Sequence, residues 1–310
     1  MGNNTIVVVG SSNTDMIIKV PRIPRPGETV LGGQFSMAAG GKGANQAVAA
    51  ARAGGKVLLI ARVGEDLFGE EAIQSFERDT IDVHCITRDD EAPSGIALIF
   101  VGEGGENSIA VAPGANANLT PAYIDRFSRQ ISEAGMLLIQ LETPLETVLR
   151  ATEIAAASGR RIILNPAPAR QVPLDLLRRV SILTPNETEA EVLTGVQIAD
   201  SNSAATAALR LLDQGVDVVI ITLGARGALV ATREKREWVS GFHVRALDTT
   251  AAGDVFNGAL AVALSENESL ADAVRFAHAA AAISVTRLGA QPSIPQRKEI
   301  DEFVARHKSG

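Results

Sequence analysis

At 310 residues, 46% hydrophobic and 21% charged, the chain has the size and apolar content of one large globular domain or of a domain with a small appendage. Its formal net charge of -7 leaves no basic surplus of the kind that drives generic binding to nucleic acid or to anionic membranes, so its expected partners are small molecules. The single cysteine, Cys85, excludes an intrachain disulfide and a cysteine-based zinc site within the chain, and reads as a small buried hydrophobe.

The N-terminal segment MGNNTIVVVG has no cationic region followed by a long apolar one, and no run reaches the roughly 18 apolar residues of a membrane span, so a soluble, cytoplasmic protein is expected. The first predicted strand is TIVVVG (5–10), followed by the polar stretch SSNTD. DMIIKV (15–20) and GGQFSMA (32–38) then flank PRIPRPGE with no helix between them, which predicts an antiparallel hairpin. AAGGKGANQAVAAARAG (38–54) leads into a helix over 42–54, and its glycines match neither the G-x-G-x-x-G nor the P-loop spacing. Lys42 and Asn45 there suit a polyhydroxylated ligand, or a tight turn with a solvated lysine.

KVLLIARVG (56–64) is the next predicted strand and 66–78 the next helix. A second hairpin pairs SGIALIFV (94–101) with NSIAVAP (107–113) across GEGGE. Beyond it, strands are predicted at 135–142, 160–168, 180–187 and 216–224, with crossover-sized helices at 144–157 and 201–213. Short β-branched and leucine-rich runs alternating with such helices predict an α/β fold with a mostly parallel central sheet flanked by helices. The hairpins, inserted at about 15–39 and 94–113, supply a small β-sheet lid that excludes water from a site on the larger body. Polar stretches at five strand ends (SSNTD, LETP, NPAPA, TPNETE and TLGARG) mark one ligand face, as expected beyond the carboxyl ends of parallel strands.

DTTAAGDVFNGALAVAL (248–264) opens another helix with small residues, whose unpaired N–H groups admit a phosphate. Asp254 in that first turn would repel a merely bound anion; it suits a base that takes a proton from an attacking hydroxyl, or a carboxylate that complements the helix dipole. Alanine-rich SLADAVRFAHAAAAISVTRLG (269–289) and a last helix over 296–307 complete the chain.

GGKGANQAVAAARAGG and DTTAAGDVFNGAL resemble the two signature motifs of the ribokinase-like, or pfkB, family of carbohydrate kinases. NTD, LETP, LNPAPAR, TPNETEAE, TLGARG, RFAHAAAA and TRLGAQPSIP follow in the family's order, so the resemblance spans nearly the whole chain as a single domain. It implies ATP-dependent phosphorylation of the 5-hydroxyl of D-ribose, with Asp254 as an ionised base and the N–H groups of Ala251, Ala252 and Gly253 as an anion hole. Implied sugar contacts are Asn13, Asp15, Gly41, Lys42, Asn45, Glu142 and Asp254, with the Asn13 amide reading the 2-hydroxyl. Implied nucleotide contacts are Asn186, Thr222, Leu223, Gly224, Ala225, Arg226, Gly227, Gly253 and His278. Glu189 is implied in organising Mg2+ through water; Asn186 and Glu189 also have capping-box spacing. An activating K+ is implied at Asp248, Thr250, Ser284, Arg287, Gly289 and Ser293, mostly through backbone oxygens.

The family often shows D-T-x-G-A-G-D where this chain has Ala251, and alanine's tolerance of helical φ/ψ leads one to expect the same anion hole. Another sugar or nucleoside kinase of this fold (2-deoxyribose, fructose, adenosine) and a non-catalytic sugar-binding protein stand as alternatives. The apolar excess of DMIIKV and SGIALIFV predicts a homodimer joined through the lids.

Overall fold

The structure, a computed structural model, describes residues 4–104 and 106–307; residues 1–3 of the segment read for a leader and Gly105 of the GEGGE turn lie outside them. Among the described residues thirteen strands follow in chain order: β1 (Thr5–Val9), β2 (Asn13–Val20), β3 (Gln34–Gly40), β4 (Lys56–Gly64), β5 (Ile86–Asp89), β6 (Gly95–Gly102) and β7 (Asn107–Ala112). The rest are β8 (Met136–Ile139), β9 (Arg161–Leu164), β10 (Ile182–Leu183), β11 (Val218–Thr222), β12 (Ala228–Ala231) and β13 (Arg236–Val239). The large sheet has the order β13-β12-β11-β10-β9-β8-β1-β4-β5, parallel from β5 to β11 and antiparallel at β12 and β13.

Its strands are apolar on both faces because helices cover both. Ile6 and Val8 of β1 join one core with the helices Lys42–Arg52, Ala252–Ser265 and Leu270–Ser284, while Val7 and Val9 join the other with Ile131, Val148 and Leu211. The period-two alternation of a strand thus explains an unbroken apolar run.

The small sheet has the order β3-β2-β6-β7. Both predicted hairpins are antiparallel, and β2 and β6 join them side by side in parallel. Residues directly opposite share a face, so Met16, Ile18, Phe35, Met37 and Leu98 lie on one side. Asp15, Ile99, Ile109 and Val111 lie on the other.

Five elements differ from the sequence reading. β5, β12 and β13 have only four residues each, and β5 and β13 carry charged side chains, so neither length nor alternation marks them. The predicted strand over 180–187 is regular only at Ile182–Leu183. The helix predicted to Gly289 stops at Ser284; the Val285 carbonyl accepts from Leu247 and Asp248, and Gly289 takes a positive φ of 84°. No helix among the described residues is long and apolar enough to cross a membrane.

Candidate active site

The segments after β9, β10 and β11 meet the first turn of the helix Ala252–Ser265 at the carboxyl ends of the strands, and the loops after β1 and β8 join at Lys42 beside them. There a cavity of about 200 Å³ is lined by Lys42, Asn186, Glu189, Gly253 and Asp254 among others. Gly41, at φ 88°, turns β3 into the helix Lys42–Arg52. Gly43 lets that helix touch the β1 loop, since a Cβ on it would lie 2.5 Å from both Gly10 C and Ser11 N. Glu142 fastens the junction: its Oε2 accepts from Ser11 Oγ at 2.6 Å and from the Lys42 backbone N–H at 2.9 Å.

Asp254 is 4% exposed. Its Oδ2 accepts from Asn45 Nδ2 at 3.0 Å and its Oδ1 from Gln46 Nε2 at 2.9 Å. Burial pushes its pKa above the ordinary carboxylate range, while the Lys42 ammonium and the two amide donors pull it back. Lys42 is held charged chiefly by Asp254, with Glu142, Glu189 and Asp15 contributing against its burial. Asp15, on the site-facing side of the lid, is raised to about 6 by burial first, then by Glu142 and Asp254.

The anion-hole segment departs from the sequence expectation at one residue. Ala251 is not helical: it is the N-cap, in the left-handed region at φ 59°, ψ 9°, which costs a residue with a Cβ on the order of 1–2 kcal/mol. Glycine at this position in related motifs would occupy it without strain. The Ala252 N–H donates to Thr249 O at 3.2 Å, whereas those of Ala251 and Gly253 have no backbone partner among the described residues.

Asn186 and Glu189 form a capping box: the Asn186 backbone N–H donates to Glu189 Oε2 at 2.9 Å, and the Glu189 N–H to Asn186 Oδ1 at 2.8 Å. Burial raises Glu189 as well. Both carboxylate oxygens already accept from Asn186, so a hydrated divalent ion held through water fits this group better than a directly ligated one. The TLGARG loop runs from Thr222 at the end of β11 through the short turn Gly224–Arg226 to Gly227, and Arg226 pairs with Glu187. Leu223 is buried, with Ala225 and Arg226 exposed.

His278 does not line this cavity. It lies edge-on to Phe256 at 5.0 Å, its Nε2 buried without a partner, and burial lowers it to about 4.

Asp248 joins the two segments named for a monovalent cation. Its Oδ1 accepts from Thr250 N–H at 2.9 Å and Thr250 Oγ1 at 2.6 Å, and its Oδ2 from Gly289 N–H at 2.8 Å. Ser284 and Ser293 are buried nearby in sequence, and Arg287 directs its guanidinium to Glu299. No cluster of three His, Cys, Asp or Glu among the described residues forms a metal site, so a cation here would depend on backbone oxygens.

Asn13, at the first position of β2, has its Oδ1 occupied by Asn116 Nδ2 at 2.8 Å. Asn116 is itself fixed by the Ser12 N–H and by the Ser12 and Pro113 carbonyls, so Asn13 keeps its Nδ2 as a donor. Sequence reasoning missed Asn116 and the buried amides of Gln46, Gln140, Asn165 and Asn257. The one signal for Gln46 was its place beside Asn45 in an otherwise alanine-rich helix.

A family model for pfkB family carbohydrate kinases matches residues 3–297. A ribokinase of Haemophilus influenzae is 48% identical over 300 residues, covering 97% of this chain and 98% of that protein. A deoxyribokinase of Salmonella typhi is 38% identical over 301 residues, covering 97% and 98%. The solved structure of Arabidopsis thaliana ribokinase complexed with ribose and ATP superposes with a TM-score of 0.92 at 31% identity, over 97% of this chain and 98% of that one.

Proposed function

The chain belongs to the pfkB family of carbohydrate kinases and is a sugar kinase, and from that premise we propose that it transfers the terminal phosphoryl group of ATP to the 5-hydroxyl of D-ribose. The carrying observation is Asp254, buried at the first turn of a helix beside the open N–H groups of Ala251 and Gly253. Asp254 takes the proton of the attacking hydroxyl. Those N–H groups and the Lys42 ammonium meet the negative charge on the transferred group. Burial makes the carboxylate a stronger acceptor of the hydroxyl proton, while Lys42 and the two amide donors favour the ionised form it needs for that task.

In this reading the sugar lies between Asp15, Lys42, Asn45, Glu142 and Asn13. Asn45 Oδ1, buried without a partner, suits a hydroxyl donor, and Asn13 Nδ2 a hydroxyl acceptor such as O2. Asn186, His278 and Thr222 to Gly227 receive the nucleotide. Glu189 and Asn186 would hold the water shell of Mg2+, which when bound offsets phosphate charge, and the 248–250 and 284–293 segments would hold K+. The lid's outward face, with Phe35 63% and Met37 53% exposed, joins a second copy of the chain. A cytoplasmic location follows from ATP as donor.

The test is ADP formation from ATP and magnesium with ribose, 2-deoxyribose, fructose and adenosine, with and without potassium. Turnover is expected with ribose, faster in potassium, and Asp254→Asn should lose about 10²–10⁴-fold, the range of a general base. Preference for 2-deoxyribose would move the substrate toward that of the Salmonella relative and leave the base in place. An Asp254→Asn enzyme as fast as the parent would end the base assignment.

A further inference from the structure

The amides behind Asp254 form a directed chain that starts on a backbone carbonyl. Thr184 O can only accept, so Asn165 turns Nδ2 to it, at 3.3 Å, and leaves Oδ1 facing Gln46. Gln46 meets that oxygen with Nε2 at 3.1 Å, and the same Nε2 donates to Asp254 Oδ1 at 2.9 Å. From the other side Gln140 Nε2 donates to Gln46 Oε1 at 2.6 Å, in keeping with the orientation that Asn165 and Asp254 set. A reversed Gln46 amide would set its oxygen against both Asn165 Oδ1 and the Asp254 carboxylate. Gln46 is fully buried and does not line the cavity, so it has no direct access to a substrate there.

We propose that Gln46 is a positioning residue for Asp254: Asn165, anchored on the Thr184 carbonyl, fixes the Gln46 amide so that only a donor faces Oδ1. This rests on the reading of Asp254 as the base. The donor holds the carboxylate in one rotation and favours its ionised form, acting with Lys42 from the same helix and against Glu142 after β8, Asp15 from β2 and Glu189 across the cavity.

The test is the pH dependence of single-turnover phosphoryl transfer from ATP to ribose, at saturating substrates, in the parent, Gln46→Met, Gln46→Glu and Asp254→Asn, with thermal unfolding alongside. In Gln46→Met the acid limb should move up by about one pH unit, the scale of one hydrogen bond to a charged group, with ribose KM little changed. Gln46→Glu, nearly isosteric, keeps the test open if the methionine variant does not fold, and should move the limb further in the same direction because a carboxylate then faces a carboxylate. A folded Gln46 variant whose acid limb stays in place, or whose rate falls equally at every pH, overturns the proposal. Loss in Asp254→Asn with an unmoved limb overturns the proposal alone, whereas retained transfer in Asp254→Asn overturns the base assignment and the proposal with it.

Discussion

Asp15 shows how a binding residue works against stability. Its pKa of about 6 exceeds the ordinary 3.8, so between those values the folded chain holds a proton that the unfolded chain has released. Stability from this group therefore rises as pH falls through that window and is lowest once Asp15 is ionised above about 6. Asp15→Asn should stabilise the ligand-free protein at pH 7 by on the order of 1–2 kcal/mol in chemical denaturation while weakening use of ribose. The parent's kcat/KM for ribose should show a step as pH drops through about 6, in addition to the fall set by protonation of Asp254, and Asp15→Asn should remove that step while keeping the Asp254 limb. At this scale the sequence showed residue types better than partners. Asn186 and Glu189 were legible because a capping box is local, and the structure has it. The Asn165–Gln46–Asp254 chain was not, because its members lie up to 208 positions apart and an amide within an apolar run carries no sign of what it faces. Ala251 was misread because its backbone region is set by the turn that precedes the helix, not by the helix.

At the scale of elements, the helix Lys42–Arg52 is positioned by contact without side chains. Alanine for glycine within a helix ordinarily gains up to about 1 kcal/mol. At Gly43 the new Cβ would meet Gly10 and Ser11 backbone atoms at 2.5 Å, and backbone cannot step aside as a flexible side chain can. The clash wins: Gly43→Ala should lose about 1–3 kcal/mol by denaturant titration and lower kcat/KM, since the displaced loop carries Ser11 and Asn13. A variant as stable as the parent would refute the close approach. The long parallel strands and crossover helices were readable because burial on both faces leaves continuous apolar runs. The edge strands β5 and β13 are only partly buried and carry charges, and β12, though buried, is a run of just four residues, so none of the three left such a mark.

At the scale of the whole molecule, the small sheet has apolar residues on two faces and only one site to cover. The register puts Phe35, Met37 and Leu98 opposite the face that carries Asp15, which supports self-association through the outward side. Phe35→Glu, placing a charge in that patch, should reduce the mass measured by light scattering from dimer to monomer at micromolar protein. A monomeric parent would remove the idea.

The register of the small sheet has a mechanical consequence. Asn13 lies opposite both Gly40 and Gly95, and Ile96 opposite Ala112, so the ends of all four strands that connect to the large body fall on one line. A flap attached by four chain crossings along one edge has a single soft rotation about that edge, and displacement grows with distance from it. Asn13 and Asp15 sit at the fulcrum, while Val20, Gln34 and Asn107 ride at the far end. A rotation about that edge would therefore carry the outer end furthest and the groups assigned to read the sugar least, which would keep their reading frame for the ligand.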